Sequence, residues 1–178
     1  MGEIVRLAEY RDKSAFEAGL KVWRQRFKEP LSTRTRLNDL QQHVLCQLAE
    51  PSEGNNDFFY SMILSFLGFG YQATFGSVEK REQMTIVDIH LFLLDHIRFE
   101  MMRRLGWLSR FCATQYPLFE MVRQFDQIAI LCQQDPPLLS ETHPGYPEYK
   151  TLIDRDRQVF IRRMMPDALK AFKRGMPV

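Results

Sequence analysis

The chain has 178 residues, of which 45% are apolar and 26% are charged. This length fits one domain with a substantial core, and the 14 Phe and 9 Met exclude a disordered chain. The net charge of +2 is too small to imply a nucleic-acid partner by itself, although both ends of the sequence are basic and its middle is acidic.

The first part of the chain predicts three helices in order. Residues 1–13 are ambiguous between an extended arm and a frayed helical turn, and a capping-box pattern then begins a helix at about 14–28. Apolar residues at steps of three and four predict a second helix at about 33–49. A third helix, at about 57–67, ends at a glycine and leads into a glycine-rich loop.

Residues 84–108, MTIVDIHLFLLDHIRFEMMRRLGWL, predict the helix around which the rest is arranged. Apolar side chains occupy one broad face and also the opposite side, so other helices should cover it on most sides. Its six charged residues exclude a membrane span. The pattern predicts an all-α bundle of about six or seven helices around a buried central helix.

The last third of the chain predicts two long helices separated by prolines. Pro117 is suited to the first position of one helix, and residues 134–147 then form a proline-rich connection without regular structure. A charged helix follows at 148–165, and the proline after it breaks or kinks it, so that residues 166–178 form a short C-terminal helix and tail. We expect residues 1–178 to make a single all-α domain.

Three isolated cysteines, Cys46, Cys112 and Cys132, form no CxxC pair. Their odd number and wide spacing exclude a disulfide framework and a zinc knuckle as readings of the sequence. All three lie in apolar helical patterns, where a free cysteine behaves as a small core residue. Because the N-terminus also has no apolar signal core, we expect a reducing, cytoplasmic location.

Four ionisable residues inside the central helix are the candidate partner-binding site: His90, Asp95, His96 and Glu100. His96 and Glu100 are four residues apart, so they can meet on one side of a helix. In the functional interpretation, Asp95 and His96 contact a ligand while Glu100 orients His96. In the structural interpretation, these residues form intrahelical ion pairs and one hydrogen-bonded core histidine, which are common features.

The run Asp95–Glu100, DHIRFE, is similar to the Asp-His-Leu-x-x-Glu core of the helical chaperones that mature molybdenum enzymes. It covers six of the 178 residues, and the Glu-Pro that those chaperones usually carry just upstream is missing from Ile89–Leu94. The resemblance implies binding of a partner rather than catalysis.

A metal-dependent enzyme is the alternative, with Asp88, His90, Asp95 and His96 as ligands. Asp88 and His90 diverge by about 160° around a helix, so such a site needs further ligands from another helix. The sequence lacks the paired Glu-x-x-His motif of di-iron bundles, the HExxH motif and the Walker phosphate loop. We therefore predict no metal and no cofactor.

The strongest basic patch lies near the C-terminus: Arg162, Arg163, Lys170, Lys173 and Arg174. It makes nucleic-acid binding the third function class, although no helix-turn-helix pattern is evident and acidic helices elsewhere could neutralise the patch. The function predicted from the sequence is partner or peptide binding, chaperone-like or adaptor-like, without intrinsic catalysis. The sequence leaves the ligand and the oligomeric state open.

Overall fold

The computed structural model describes residues 2–70 and 72–175, with side chains described from Leu7 onward. It confirms the all-α class, since 71% of the described residues are helical and they form eight α-helices and one two-stranded sheet. No helix among these residues combines the length and the apolar character that crossing a membrane requires.

The α-helices, in chain order, are α1 Gly2–Phe27, α2 Gln42–Ala49, α3 Glu53–Phe66, α4 Lys80–Arg104, α5 Leu118–Arg123, α6 Phe125–Gln134, α7 Tyr146–Tyr149 and α8 Asp154–Arg174. Short 3-10 helices occupy three connections: Leu37–Asp39, Phe75–Ser77 and Cys112–Gln115. The strands β1 Leu108–Arg110 and β2 Leu138–Leu139 pair antiparallel.

The chain gathers into two compact units, each made of separate segments. The first unit contains α1, α3, α5 and the part of α4 that ends at Leu93. The second unit contains α2, the part of α4 from Leu94, the small sheet, α7, α8 and α6 from Asp126. The expectation of a single domain over residues 1–178 stays a prediction.

In the first unit, α1 and α3 pack through aromatic side chains. Phe16 stacks on Phe66 with ring centroids 6.2 Å apart, and Trp23 lies 6.2 Å from Phe58. Gly19 allows this close approach, because a Cβ atom there would lie only 2.2 Å from the Phe66 ring. A glycine in the middle of a helix costs stability, and here the packing of an aromatic ring on the bare backbone explains it.

In the second unit, α8 packs against α2. The buried residues of α8 recur at steps of three and four: Ile161, Met165, Ala168 and Phe172. The Gln42 amide donates to the carbonyl of Phe172 at 3.4 Å, and Lys173 donates to Glu50 at 2.7 Å. The helix runs through Pro166, so of the two predicted effects of this proline the break is wrong, while the kink stays a prediction. A proline in a helix interior costs about 3 kcal/mol, because it loses a backbone hydrogen bond and its ring clashes with the preceding turn. Burial on both sides of Pro166 offsets this cost.

The central helix is shifted four residues toward the N-terminus from its predicted span. It begins after Glu79, whose N–H donates to the Glu82 carboxylate at 3.1 Å. It ends because Gly106 adopts a positive φ of 77°, and the N–H groups of Gly106 and Trp107 donate to Arg103 and Met102, both at 2.9 Å. This Schellman motif turns the chain into β1, so the predicted last turn through residue 108 is not helical.

Other predicted spans also differ from the structure. Residues 2–13 are helical and belong to α1, so of the two alternatives the extended arm is wrong. The second predicted helix is shorter, because the extended Arg36 donates its N–H to Asp39 at 2.8 Å and the chain forms only a 3-10 turn before α2. The proline-rich connection contains β2 and the first residues of α7, whereas we predicted no regular structure there.

Candidate functional site

Glu100 is fully buried, and both of its carboxylate oxygens accept hydrogen bonds from arginines of the same helix. Arg103 makes a bidentate contact at 2.8 Å, and Arg104 Nε donates at 2.7 Å. The bond to Glu100 raises the pKa of Arg103 above its ordinary value. The carboxylate therefore anchors two guanidinium groups, which is a contact that stabilises the fold.

Arg104 extends this network beyond α4. Its Nη2 donates to three backbone carbonyls in the segment before α2: Leu37 at 3.2 Å, Asn38 at 3.2 Å and Leu40 at 2.8 Å. Glu100 thus connects α4 to a stretch of chain some 60 residues away. That Glu100 orients His96 stays a prediction, while the described bonds of this carboxylate belong to Arg103 and Arg104.

Asp95 and His96, the residues predicted to contact a ligand, contact other side chains of the second unit. Asp95 pairs with Arg162 of α8 at 3.1 Å. His96 is only 8% exposed, and its ring packs edge-on against Phe99 with centroids 5.4 Å apart. A buried imidazole among rings offers little surface to a ligand, so this placement favours the structural interpretation.

His90 belongs to the first unit and is 5% exposed. Its ring lies 4.6 Å from the Phe59 ring and 5.4 Å from the Tyr60 ring. The four predicted residues are therefore distributed over both units. Within the part of the chain that the structure describes, no three His, Cys, Asp or Glu side chains are grouped so that they could hold a metal ion.

The basic patch is largely paired with carboxylates. Arg162 contacts Asp95, Lys170 lies 3.6 Å from Asp167, and Lys173 contacts Glu50. The remaining two members, Arg163 and Arg174, are exposed. Because three of the five cations already face an acidic partner, the patch offers less free positive charge than the sequence suggested.

The cysteines are buried thiols and poor candidates for nucleophiles. Burial raises the pKa of Cys46, and burial together with a hydrogen bond between the Cys132 and Cys112 thiols raises the pKa of Cys132. A thiol attacks as the thiolate, and these environments keep the proton on sulfur. The three cysteines therefore act as core residues, as their sequence pattern indicated.

An exposed apolar stripe on the first part of α4 is the feature that our sequence reasoning missed. It consists of Met84, Val87 and Leu91, and we call it the α4 stripe. Met84 is 69% and Leu91 54% exposed, while Val87 is half-buried. The spacing of three and four residues places them on one side of the helix. The buried residues Ile86, Ile89 and Leu93 occupy nearly the opposite side.

A cleft of about 460 Å³ lies beside the α4 stripe. Its apolar walls are Phe75, Met84 and Val87, and its polar lining is Lys80, Gln83 and Asp88. The Phe75 ring stacks on Tyr60 with centroids 4.3 Å apart, which holds one wall in place. A second cleft, of about 360 Å³, lies beside the first turns of the same helix and is lined by Leu67, Phe69, Glu79, Arg81, Glu82, Thr85 and Ile86.

The exposed stripe could have been found from the sequence by testing both faces of the central helix. Met84, Val87 and Leu91 follow helical spacing as well as the buried residues do. No family model matches this chain, and the comparisons with curated proteins and with solved structures found nothing similar to it. Its function therefore has to be inferred from its own surfaces and side chains.

Proposed function

We propose that this chain is a helical partner-binding protein without intrinsic catalysis, and that the α4 stripe with Phe75 is the surface that docks a helix. The observation that carries the proposal is a row of apolar side chains at helical spacing, two exposed and one half-buried, next to a formed cleft. A helix that docks in a groove uses such a row of contacts.

The composition of this surface also supports docking of a helix. Exposed apolar side chains that lie together are typical of interaction surfaces. Met84 has a flexible thioether side chain that adapts to different partner residues, while the stacked Phe75 supplies a rigid wall. Lys80 and Asp88, which also line the cleft, add charges that can orient a partner.

A catalytic role receives less support from the described side chains. Glu100 is engaged by two arginines, and both central histidines lie among aromatic rings. The metal-dependent enzyme stays an untested alternative. A reducing location such as the cytoplasm suits the three free thiols, and we include it in the proposal.

A photo-crosslinking amino acid in place of Leu91 tests the proposal in extract of the source organism. The matched control carries the same group in place of Ile130, because that residue is 56% exposed against 54% for Leu91 but belongs to α6. We expect adducts from position 91 that map to an amphipathic helix or to the turn that leads into it, and we expect Met84→Asp to abolish them. No adducts, or equal adducts from both positions, would contradict a docking surface on α4.

A further inference from the structure

We propose that the helix docked on the α4 stripe is α4 of a second copy of this chain, packed antiparallel about a two-fold axis at Met84. The inference rests on the proposed function, since it names the occupant of the same surface. Its basis is a charge pattern on the exposed face of α4 that is complementary to itself.

Lys80 lies four residues before Met84, and Asp88 lies four residues after it. All three line the same cleft, so they share one face of the helix. Lys80 and Asp88 are about 12 Å apart along the axis. Neither side chain forms a hydrogen bond or ion pair with another residue in the described ranges, although both are exposed.

An antiparallel pair of α4 helices centred on Met84 brings residue 80 of each copy opposite residue 88 of the other. Both contacts then join a lysine to an aspartate. In a parallel pair the same positions would place Lys80 opposite Lys80 and Asp88 opposite Asp88, which is unfavourable. A two-fold interface requires this kind of self-complementarity, because the same patch contributes to both sides.

The apolar residues fit the same arrangement. Met84 of each copy lies at the axis and faces Met84 of the other, where both can enter the clefts beside them. Leu91 of one copy lies opposite the Phe75–Ser77 turn of the other, since pairing about residue 84 relates positions 91 and 77. Each copy therefore covers the exposed Met84 and Leu91 of its partner, which supplies the apolar burial that drives association.

Sedimentation of the purified full chain, with K80E, D88K and their equimolar mixture, tests the inference. We expect a wild-type dimer, and a dissociation constant about tenfold higher for each variant because both contacts become repulsive. The mixture should regain wild-type affinity as a heterodimer, because opposite charges then meet at both contacts. High salt should reduce the difference in dissociation constant between the variants and the wild type, because it screens the charges.

The matched controls K150E and D156K make the same charge changes at exposed positions in the second unit, and both should dimerise like the wild type. A dimer that both variants leave intact, or a mixture without rescue, would overturn the antiparallel arrangement. A monomeric wild-type chain would overturn self-association. The proposed function would still stand if position 91 crosslinks to a helix of another protein, and it would fail as well if no adduct forms.

Discussion

The two halves of α4 use their polar residues differently. In the second half, Glu100 and Asp95 bind arginines, and His96 packs among aromatic rings. In the first half, Lys80 and Asp88 extend from an exposed face that also carries Met84. Charge within an apolar stretch therefore indicates a site only when the fold leaves it accessible. The ion pairs of the second half stabilise the fold, and the exposed apolar residues of the first half are the better candidates for binding.

Two leucines of α4 that lie two residues apart should differ most in how much their truncation to alanine lowers the free energy of unfolding. Leu93 is fully buried, and we expect Leu93→Ala to lower the free energy of unfolding by about 3.5 kcal/mol through lost burial and a cavity. Leu91 is 54% exposed on the single chain, so Leu91→Ala should change the free energy of unfolding by less than about 0.5 kcal/mol at protein concentrations too low for two copies to associate. Urea unfolding measures both variants. Equal losses would show that the stripe belongs to the core.

Removal of the buried carboxylate should have the next largest effect. We expect Glu100→Gln to destabilise the fold by about 3 kcal/mol, because two arginines lose a charged partner and the site cannot hydrate fully. Partial exposure of Arg103 and Arg104 keeps the loss toward the lower end of the range for buried pairs. The exposed Glu141→Gln is the control for urea unfolding. An unchanged urea midpoint for Glu100→Gln would show that its ion pairs do not stabilise the fold, and Glu100 would again be a candidate for binding.

The Asp95–Arg162 pair should contribute much less. Its side chains are 29% and 58% exposed, so solvent screens their attraction. We expect Asp95→Asn and Arg162→Gln each to cost less than about 1 kcal/mol, with no additional loss in the double variant. Thermal or urea unfolding of the two single variants and the double variant measures these losses as a double-mutant cycle. A loss near that of Glu100→Gln would mean that the pair is more important to the fold than its exposure indicates.

The smallest effect should appear as a pH dependence at His143 in the second unit. Burial lowers the pKa of His143 from its ordinary value of 6.5, and its Nδ1 accepts the Gly145 N–H at 3.0 Å. The unfolded chain thus binds this proton more tightly than the folded chain. Its contribution to stability is therefore complete above pH 6.5 and decreases as the pH falls through that value. We expect His143→Gln to reduce the slope of the unfolding free energy against pH between about pH 7 and 5. An unchanged slope would contradict the assignment of this pH dependence to His143.

Local patterns sufficed for the helical class, for the glycine cap at Gly68 and for the buried face of the central helix. Gly68 has a φ of 85°, as a residue in this position requires, and Ile86, Leu93 and Ile97 are all buried. These features depend on residues within one or two turns, so the sequence contains the information directly. The C-terminal end of α4 was harder to predict from the sequence, because Leu105 and Leu108 continue the apolar pattern past the turn that Gly106 imposes.

By itself, the sequence determined that this protein is helical and that α4 carries both apolar and ionisable residues. Only the tertiary structure decided which of those residues face solvent. Asp95 meets Arg162, 67 positions away, and Arg104 reaches the Leu40 carbonyl, 64 positions away, and such partners do not follow from periodicity. Two faces of one helix can carry equally regular apolar patterns, and packing against distant segments determines which face is buried and which remains available for binding.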